Sequence, residues 1–258
     1  MKYTDHELAQ HLATETGKRL LALREQLFSE GASPWYTMDA GDAVAHRFLI
    51  ESLAEHRPND AVLSEEAADD PVRMSSDRVW IIDPLDGTKE YGEDGRADWA
   101  VHVALWQRTE HLGGDLISGA VALPAFDITL STATPPAPPP RHVGRPRLVV
   151  SRNRASREAV VVAQALDCEV ARLGSAGAKA MAVVLGETDI YVHSGGQHQW
   201  DSAAPIAVAR AAGLHTSRID GSPLIYNERD TWLPDLVVCQ QHLAQQVLGA
   251  IREGRLNG

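Results

Sequence analysis

The chain opens on a helical stripe. Leu8, Leu12, Leu20, Leu23 and Leu27 fall roughly along one face at helical spacing, with Thr4 and Glu7 in capping-box register ahead of them. The plain reading is a helix that packs on a core. Residues 31–41, bounded by glycines, read as a loop, and residues 43–54 read as a second helix with Val44, Phe48 and Leu49 available for burial. Short apolar runs at 61–63, 79–82, 100–106 and 119–123 then predict buried strands. The run at 79–82 is expected to stop at Asp83 and Pro84, because proline cannot donate to a ladder.

Residues 134–146 are the clearest break in composition, rich in proline and therefore extended and semi-rigid. They predict a boundary between an α+β unit (1–140) and an α/β unit (141–258). Beyond the break the pattern predicts a strand at 148–151, helices at 157–166 and 176–185, a strand at 189–193 and a helix at 202–212 ending at Gly213. Strands alternating with helices point to α/β layering.

Composition narrows the class. With 44% hydrophobic and 23% charged residues the 258-residue chain reads as an ordinary globular protein with a sizeable core. No run approaches the ~18 apolar residues that span a bilayer, and the start lacks the pattern of a signal peptide. The expectation is a cytoplasmic protein with no membrane partner. Cys168 and Cys239 stand far apart, which argues against a thiolate zinc site and a disulfide framework. A net charge of -11 argues against a nucleic-acid polymer as partner. An acidic protein that handles a small polyanion needs cations to screen the encounter, and bound metal ions supply them.

The candidate chemistry lies where apolar runs end. The strand ending in Ile81 and Ile82 delivers Asp83 and Asp86 around a proline turn, and Gly87 lets the backbone approach a ligand closely. A helix starting near Thr88 would turn its free amides toward a phosphate. Carboxylate oxygens are the hard ligands that Mg²⁺ prefers, although such a turn also occurs with merely solvated aspartates. Glu65 and Glu66 follow another apolar run. Asp201 precedes small residues and reads first as a helix N-cap, as does Asp42. Taken together, these acids sit where α/β folds place ligands. A pair of metal ions about 3.5–4 Å apart, held by shared carboxylates, would activate a water and stabilise a leaving oxygen.

The segment Asp83-Pro84-Leu85-Asp86-Gly87-Thr88 resembles the first signature of the inositol monophosphatase superfamily of Mg²⁺-dependent, lithium-sensitive phosphatases, without a departure. Trp200-Asp201-Ser202-Ala203-Ala204, followed by Ala211-Ala212-Gly213, resembles the second. The resemblance implies the layered α-β-α-β-α sandwich of the inositol monophosphatase and fructose-1,6-bisphosphatase type, with two or three Mg²⁺ ions, inhibition by Li⁺ and a possible homodimer. It implies that Glu65, Asp83, Asp86 and Asp201 bind metal through side chains and Leu85 through its carbonyl. Thr88, with Asp42, would orient and deprotonate the attacking water, Glu65 belonging to the same catalytic group, while the Gly87 and Thr88 amides hold the phosphate. Gly174, Ser175 and Lys179 resemble the substrate loop, with Lys179 either a partner for a second phosphate or an exposed helix lysine.

Two departures bear on the substrate. Residues 194–199 lack the acidic residue that some inositol phosphatases place before the second signature. Lys89-Glu90-Tyr91, Asp98-Trp99-Ala100-Val101 and Gly221-Ser222-Pro223-Leu224-Ile225-Tyr226 resemble the CysQ-type 3'(2'),5'-bisphosphate nucleotidases instead. That branch implies adenosine 3',5'-bisphosphate as the small phosphorylated substrate, with its base near Tyr226 or Trp232. A broader inositol or fructose bisphosphate phosphatase is the alternative, and a silent Mg²⁺-binding protein the alternative from another class. His102, His193 and His198 have no ligand-like spacing and read as structural or solvent-facing, and residues 92–97 read as a loop ordered by Lys89 and Glu90 that closes over substrate.

Overall fold

Most of the long strands are apolar at successive positions, so both faces of each sheet need cover. In the computed structural model, which describes residues 3–110 and 113–256, the first half runs α1 (Asp5–Ser29), α2 (Pro34–His56), β1 (Ala61–Ser64), β2 (Arg78–Asp86), α3 (Thr88–Gly92), β3 (Ala100–Gln107), β4 (Asp115–Leu123) and β5 (Ile128–Ser131). The second half runs β6 (Arg147–Ser151), α4 (Arg157–Ala165), β7 (Glu169–Leu173), α5 (Ala176–Val184), β8 (Ile190–His198), α6 (Gln199–Ala211), β9 (His215–Ser217), β10 (Trp232–Cys239) and α7 (Ala244–Leu256). Residues 134–146 carry the chain from one half to the other without regular structure.

Two five-stranded sheets result, in the orders β1-β2-β3-β4-β5 and β7-β6-β8-β10-β9. In the first, β1 and β2 are parallel and the remaining pairs antiparallel. In the second, β6 lies parallel to β7 and β8, while β10 runs antiparallel to β8 and β9.

Period-two alternation then sorts the side chains into layers. Trp80 and Ile82 face α1 and α2, whereas Val79 and Ile81 join an inner cluster with α5 and α6. Val149, Tyr191 and Leu236 reach that same inner cluster from the second sheet. Leu148, Val150, Ile190, Val192 and Val237 point outward to α4 and α7. The result is the expected α-β-α-β-α sandwich. Each large apolar side chain fully withdrawn from water contributes roughly 1.5–3 kcal/mol, and Trp80 also satisfies its indole N–H on Asp60 Oδ2 at 2.9 Å.

Some sequence expectations are corrected. The capping box holds: Glu7 N–H donates to Thr4 Oγ1 at 3.2 Å and Thr4 N–H to Glu7 Oε2 at 2.9 Å. The expected loop at 31–41 is short, because Ser33 caps α2 and Pro34 occupies its first turn. Asp42 therefore lies inside α2 and not at its start. β2 runs past Pro84 to Asp86, with the register slipping between Asp83 and Asp86, so the missing N–H falls where no ladder bond is required. Asp201 is the third residue of α6 and not its cap, and its Oδ2 accepts from the His198 backbone N–H at 2.5 Å.

Candidate active site

The slip in β2 turns Asp83 and Asp86 toward the same point, and the first turn of α6 brings Asp201 to it. One carboxylate oxygen from each of the three lies within 4.8 Å of the others. Asp83 is fully buried; its Oδ1 accepts from Leu85 N–H at 3.1 Å, while its Oδ2 is buried without any hydrogen-bond partner. A buried anionic oxygen left unpaired is costly. Burial first, and then Asp86, Glu65 and Asp201, push the Asp83 carboxyl well above the usual range.

The neighbouring acids follow the same logic. Burial and Asp86 raise Asp201 to about 6. Glu65 follows β1 at the rim, where loss of hydration and the Asp201 charge raise it to about 7 although its residue surface is largely open. Asp42, on α2, is also raised to about 7, by burial and by Glu66 and Glu65. Thr88 Oγ1 donates to the Leu85 carbonyl at 3.0 Å and stands 3.5 Å from Asp42 Oδ1. Gly87 takes φ 88°, the left-handed conformation that glycine tolerates, and a Cβ there would come within 3.1 Å of Ser175 Cβ.

Asp86 is the exception. Burial opposes its charge, but His102, Lys179 and Ser175 hold it down at about 2. It accepts from Ser175 Oγ at 2.5 Å, Gly177 N–H at 2.6 Å and Ala176 N–H at 3.2 Å, so the first turn of α5 closes on it. His102, opposite Asp83 in the β2–β3 pairing, puts Nε2 3.2 Å from Asp86 Oδ2 and Nδ1 3.1 Å from the Trp200 carbonyl. A Cβ on Gly177 would sit 2.0 Å from His102 Nε2. His102 is buried, not solvent-facing, and it touches the site. Its partnership depends on strand register, which spacing along the chain does not reveal.

Other expected contacts land differently. Lys179 is buried and not an exposed helix lysine; its Nζ donates to the Gly174 carbonyl at 2.7 Å and the Ser175 carbonyl at 2.6 Å. Tyr226 is no open platform for a base, because its ring is in the core and its hydroxyl meets Ser202 Oγ at 3.0 Å. Trp232 is the exposed aromatic of the pair, edge-on to His198. At the start of residues 92–97, Glu93 pairs with Arg152 at 2.6 Å and its carbonyl takes Arg24 Nη2 at 2.7 Å.

Sequence reasoning also missed a cationic cavity of about 430 Å³ on the second sheet, lined by Arg154, Ser156, Arg157 and His193 among others. It opens at the start of α4. Arg154 and Arg157 are exposed and form no ion pair among the described residues. Burial lowers His193, helped by the charge of Lys179, the residue that also faces Asp86 and Asp201.

Carboxylate oxygens converging in a buried site, one of them without a hydrogen bond, beside a glycine turn, suit a divalent metal. The chain belongs to the inositol monophosphatase family, which it matches over residues 5–136 and 140–255, a family of metal-dependent phosphatases. It is 49% identical over 264 aligned positions to the 3'-phosphoadenosine 5'-phosphate phosphatase of Mycobacterium leprae, covering 97% of this chain and 94% of that one. It is 34% identical over 208 positions to the Escherichia coli 3'(2'),5'-bisphosphate nucleotidase CysQ, covering 75% of this chain and 81% of that one. Among solved structures, CysQ from Bacteroides thetaiotaomicron superposes with a TM-score of 0.76 at 24% identity, covering 91% and 96% of the two chains, and shares the fold. No helix among the described residues is long and apolar enough to cross a membrane.

Proposed function

We propose that the protein is a Mg²⁺-dependent, Li⁺-inhibited phosphomonoesterase that removes the 3'-phosphate of adenosine 3',5'-bisphosphate. The observation that carries the reaction is the acidic cluster around Asp83, whose buried Oδ2 accepts no hydrogen bond and has His102 Nδ1 3.9 Å away. Support for the substrate comes from the 49% identity to a phosphatase named for that compound. The cationic cavity adds to it, since a bisphosphate brings a second anion for Arg154 and Arg157 to meet.

Glu65, Asp83, Asp86 and Asp201 would hold the metal through carboxylates, with Leu85 offering its carbonyl. When bound, Mg²⁺ neutralises phosphoryl charge and makes water acidic enough to react near neutral pH. The chain's own residues then orient and exchange protons. Asp42, raised to about 7, is suited to accept a proton from the attacking water, and Thr88 lies between it and the Leu85 turn. The amides of Gly87 and Thr88 face the phosphate. Water oxygen bonds to phosphorus, the bond from phosphorus to the ribose 3'-oxygen breaks, and that oxygen gains a proton, giving AMP and phosphate. The clamp on Asp86 keeps one ligand anionic and fixed throughout.

The test is phosphate release from adenosine 3',5'-bisphosphate, inositol 1-phosphate and fructose 1,6-bisphosphate, each with Mg²⁺, with EDTA, and with Li⁺ added. The expected outcome is a kcat/KM at least about tenfold higher for the nucleotide, which corresponds to one well-made charged contact. EDTA should abolish it and Li⁺ depress it. Equal rates on the other two would overturn the substrate and keep the reaction. No release from any would overturn both.

A further inference from the structure

The turn at residues 174–175 is held in a conformation it would not choose alone. Ser175 has φ 35°, on the positive side that side chains with a Cβ disfavour. Two buried side chains clamp this turn by its backbone. Lys179 takes the Gly174 and Ser175 carbonyls. Asp98, only 6% exposed, accepts from the Gly174 N–H at 2.5 Å and pairs with Arg96. The main chain of Asp98 also backs the catalytic turn, its carbonyl oxygen lying 3.2 Å from where a Cβ on Gly87 would stand. From the clamped turn, Ser175 Oγ and the two following amides converge on Asp86.

We infer that Asp98 is a positioning residue: it fixes residues 174–175 so that their donors lock the carboxylate of Asp86 in the orientation metal binding requires. The inference rests on the metal assignment proposed above. A buried carboxylate is costly unless it is well used. Here its Oδ2 accepts from Arg96 and from one backbone amide, and that amide belongs to the turn that grips Asp86. Partners that orient metal ligands typically change metal affinity by 10–100-fold when removed. Asp98 acts through one more link, so the lower figure applies.

Asp98→Ala and Asp98→Asn, beside the wild type, test this. Asn keeps an oxygen for the Gly174 N–H but loses the charge, so its effects should be the smaller. Amide exchange in EDTA should quicken about tenfold over residues 174–178 in Asp98→Ala and stay unchanged over α2. Calorimetric titration with Mg²⁺ alone, without substrate, should show a dissociation constant about tenfold higher. Lost kcat/KM should return at saturating Mg²⁺. Local exchange and Mg²⁺ affinity within twofold of wild type would overturn the inference. So would exchange that rises uniformly along the chain, since that marks a general loss of stability. Should Asp98→Ala prove insoluble, Asp98→Asn carries the same comparison. If the wild type itself binds no Mg²⁺, the metal assignment fails, and the exchange data alone then uphold or overturn the hold on residues 174–175.

Discussion

The acidic cluster and the cationic cavity are built on opposite plans. The acidic end, where β2 meets α6, is buried and over-determined: Asp86 alone takes three donors, and Asp83 keeps an oxygen with none. The cationic end, at the start of α4, is open, and Arg154 and Arg157 stand there without ion pairs among the described residues. Buried groups act in a low effective dielectric, where each charge counts heavily, while exposed ones are screened by water and salt. On the proposed function the difference teaches where rate and where selectivity should reside: rate in the acidic cluster, and the choice among phosphate esters in the cationic cavity.

The sharpest way to break that division is Asp83→Asn. Several kcal/mol of transition-state stabilisation depend on the metal set, so kcat/KM should fall about a thousandfold. Metal-free stability should hold or rise, because the change removes a carboxyl forced upward by burial and three neighbouring acids. Activity assays paired with thermal melts in EDTA decide this. Retained activity would remove Asp83 from the metal set, and a lower Tm would make its role structural.

This division also explains what the sequence disclosed. Asp83, Asp86 and Gly87 were legible because strand, proline turn and glycine are contiguous, so local chemistry defines the local shape. Asp201 was legible as a residue but not as a position, since the helix start moves back to Gln199 when Asp201 reaches the His198 N–H. His102 was hidden because its value comes from lying opposite Asp83 across two strands. β10 was hidden by Pro234 and Asp235, which interrupt its apolar run, yet the register shifts there and Asp235 pairs with Arg218 at 2.7 Å. β7 was missed because four of its five residues are exposed and no buried face declares it. The cationic cavity gathers β8 residues with the start of α4, a juxtaposition that only tertiary structure supplies.

A smaller effect should appear at the open end. Arg154→Gln combined with Arg157→Gln removes two exposed charges that, on the proposed function, meet the second anion of a bisphosphate. KM for adenosine 3',5'-bisphosphate should rise about tenfold, with kcat nearly unchanged and inositol 1-phosphate turned over as before. The effect should shrink at high salt, as screened contacts do. An equal loss on both substrates would mean that the cavity supports the fold or the metal set, and selectivity would then lie elsewhere.

The smallest expected effect is one of stability, and it sets the two classes of carboxylate against each other. Glu65 and Asp201 are raised to about 7 and about 6, and Asp83 is raised well above the usual carboxylate range. Without metal, the folded state thus keeps protons that the unfolded chain has released above the ordinary carboxylate value near 4. Unfolding then releases protons, and stability falls as pH rises from about 4 to about 7. Depressed acids such as Asp86 and Asp189 have the opposite sign, but their contribution is lost only as pH drops below about 4, outside this window. Mg²⁺ requires the ionised carboxylates, so its binding should displace the retained protons and cancel the fall. Melts at pH 5 and pH 8, in EDTA and in saturating Mg²⁺, should therefore show a gap of a few degrees at pH 5 that roughly doubles at pH 8. A gap that stays constant between the two would mean that the acidic end does not release protons to a metal, and the raised carboxyls would need another counter-charge.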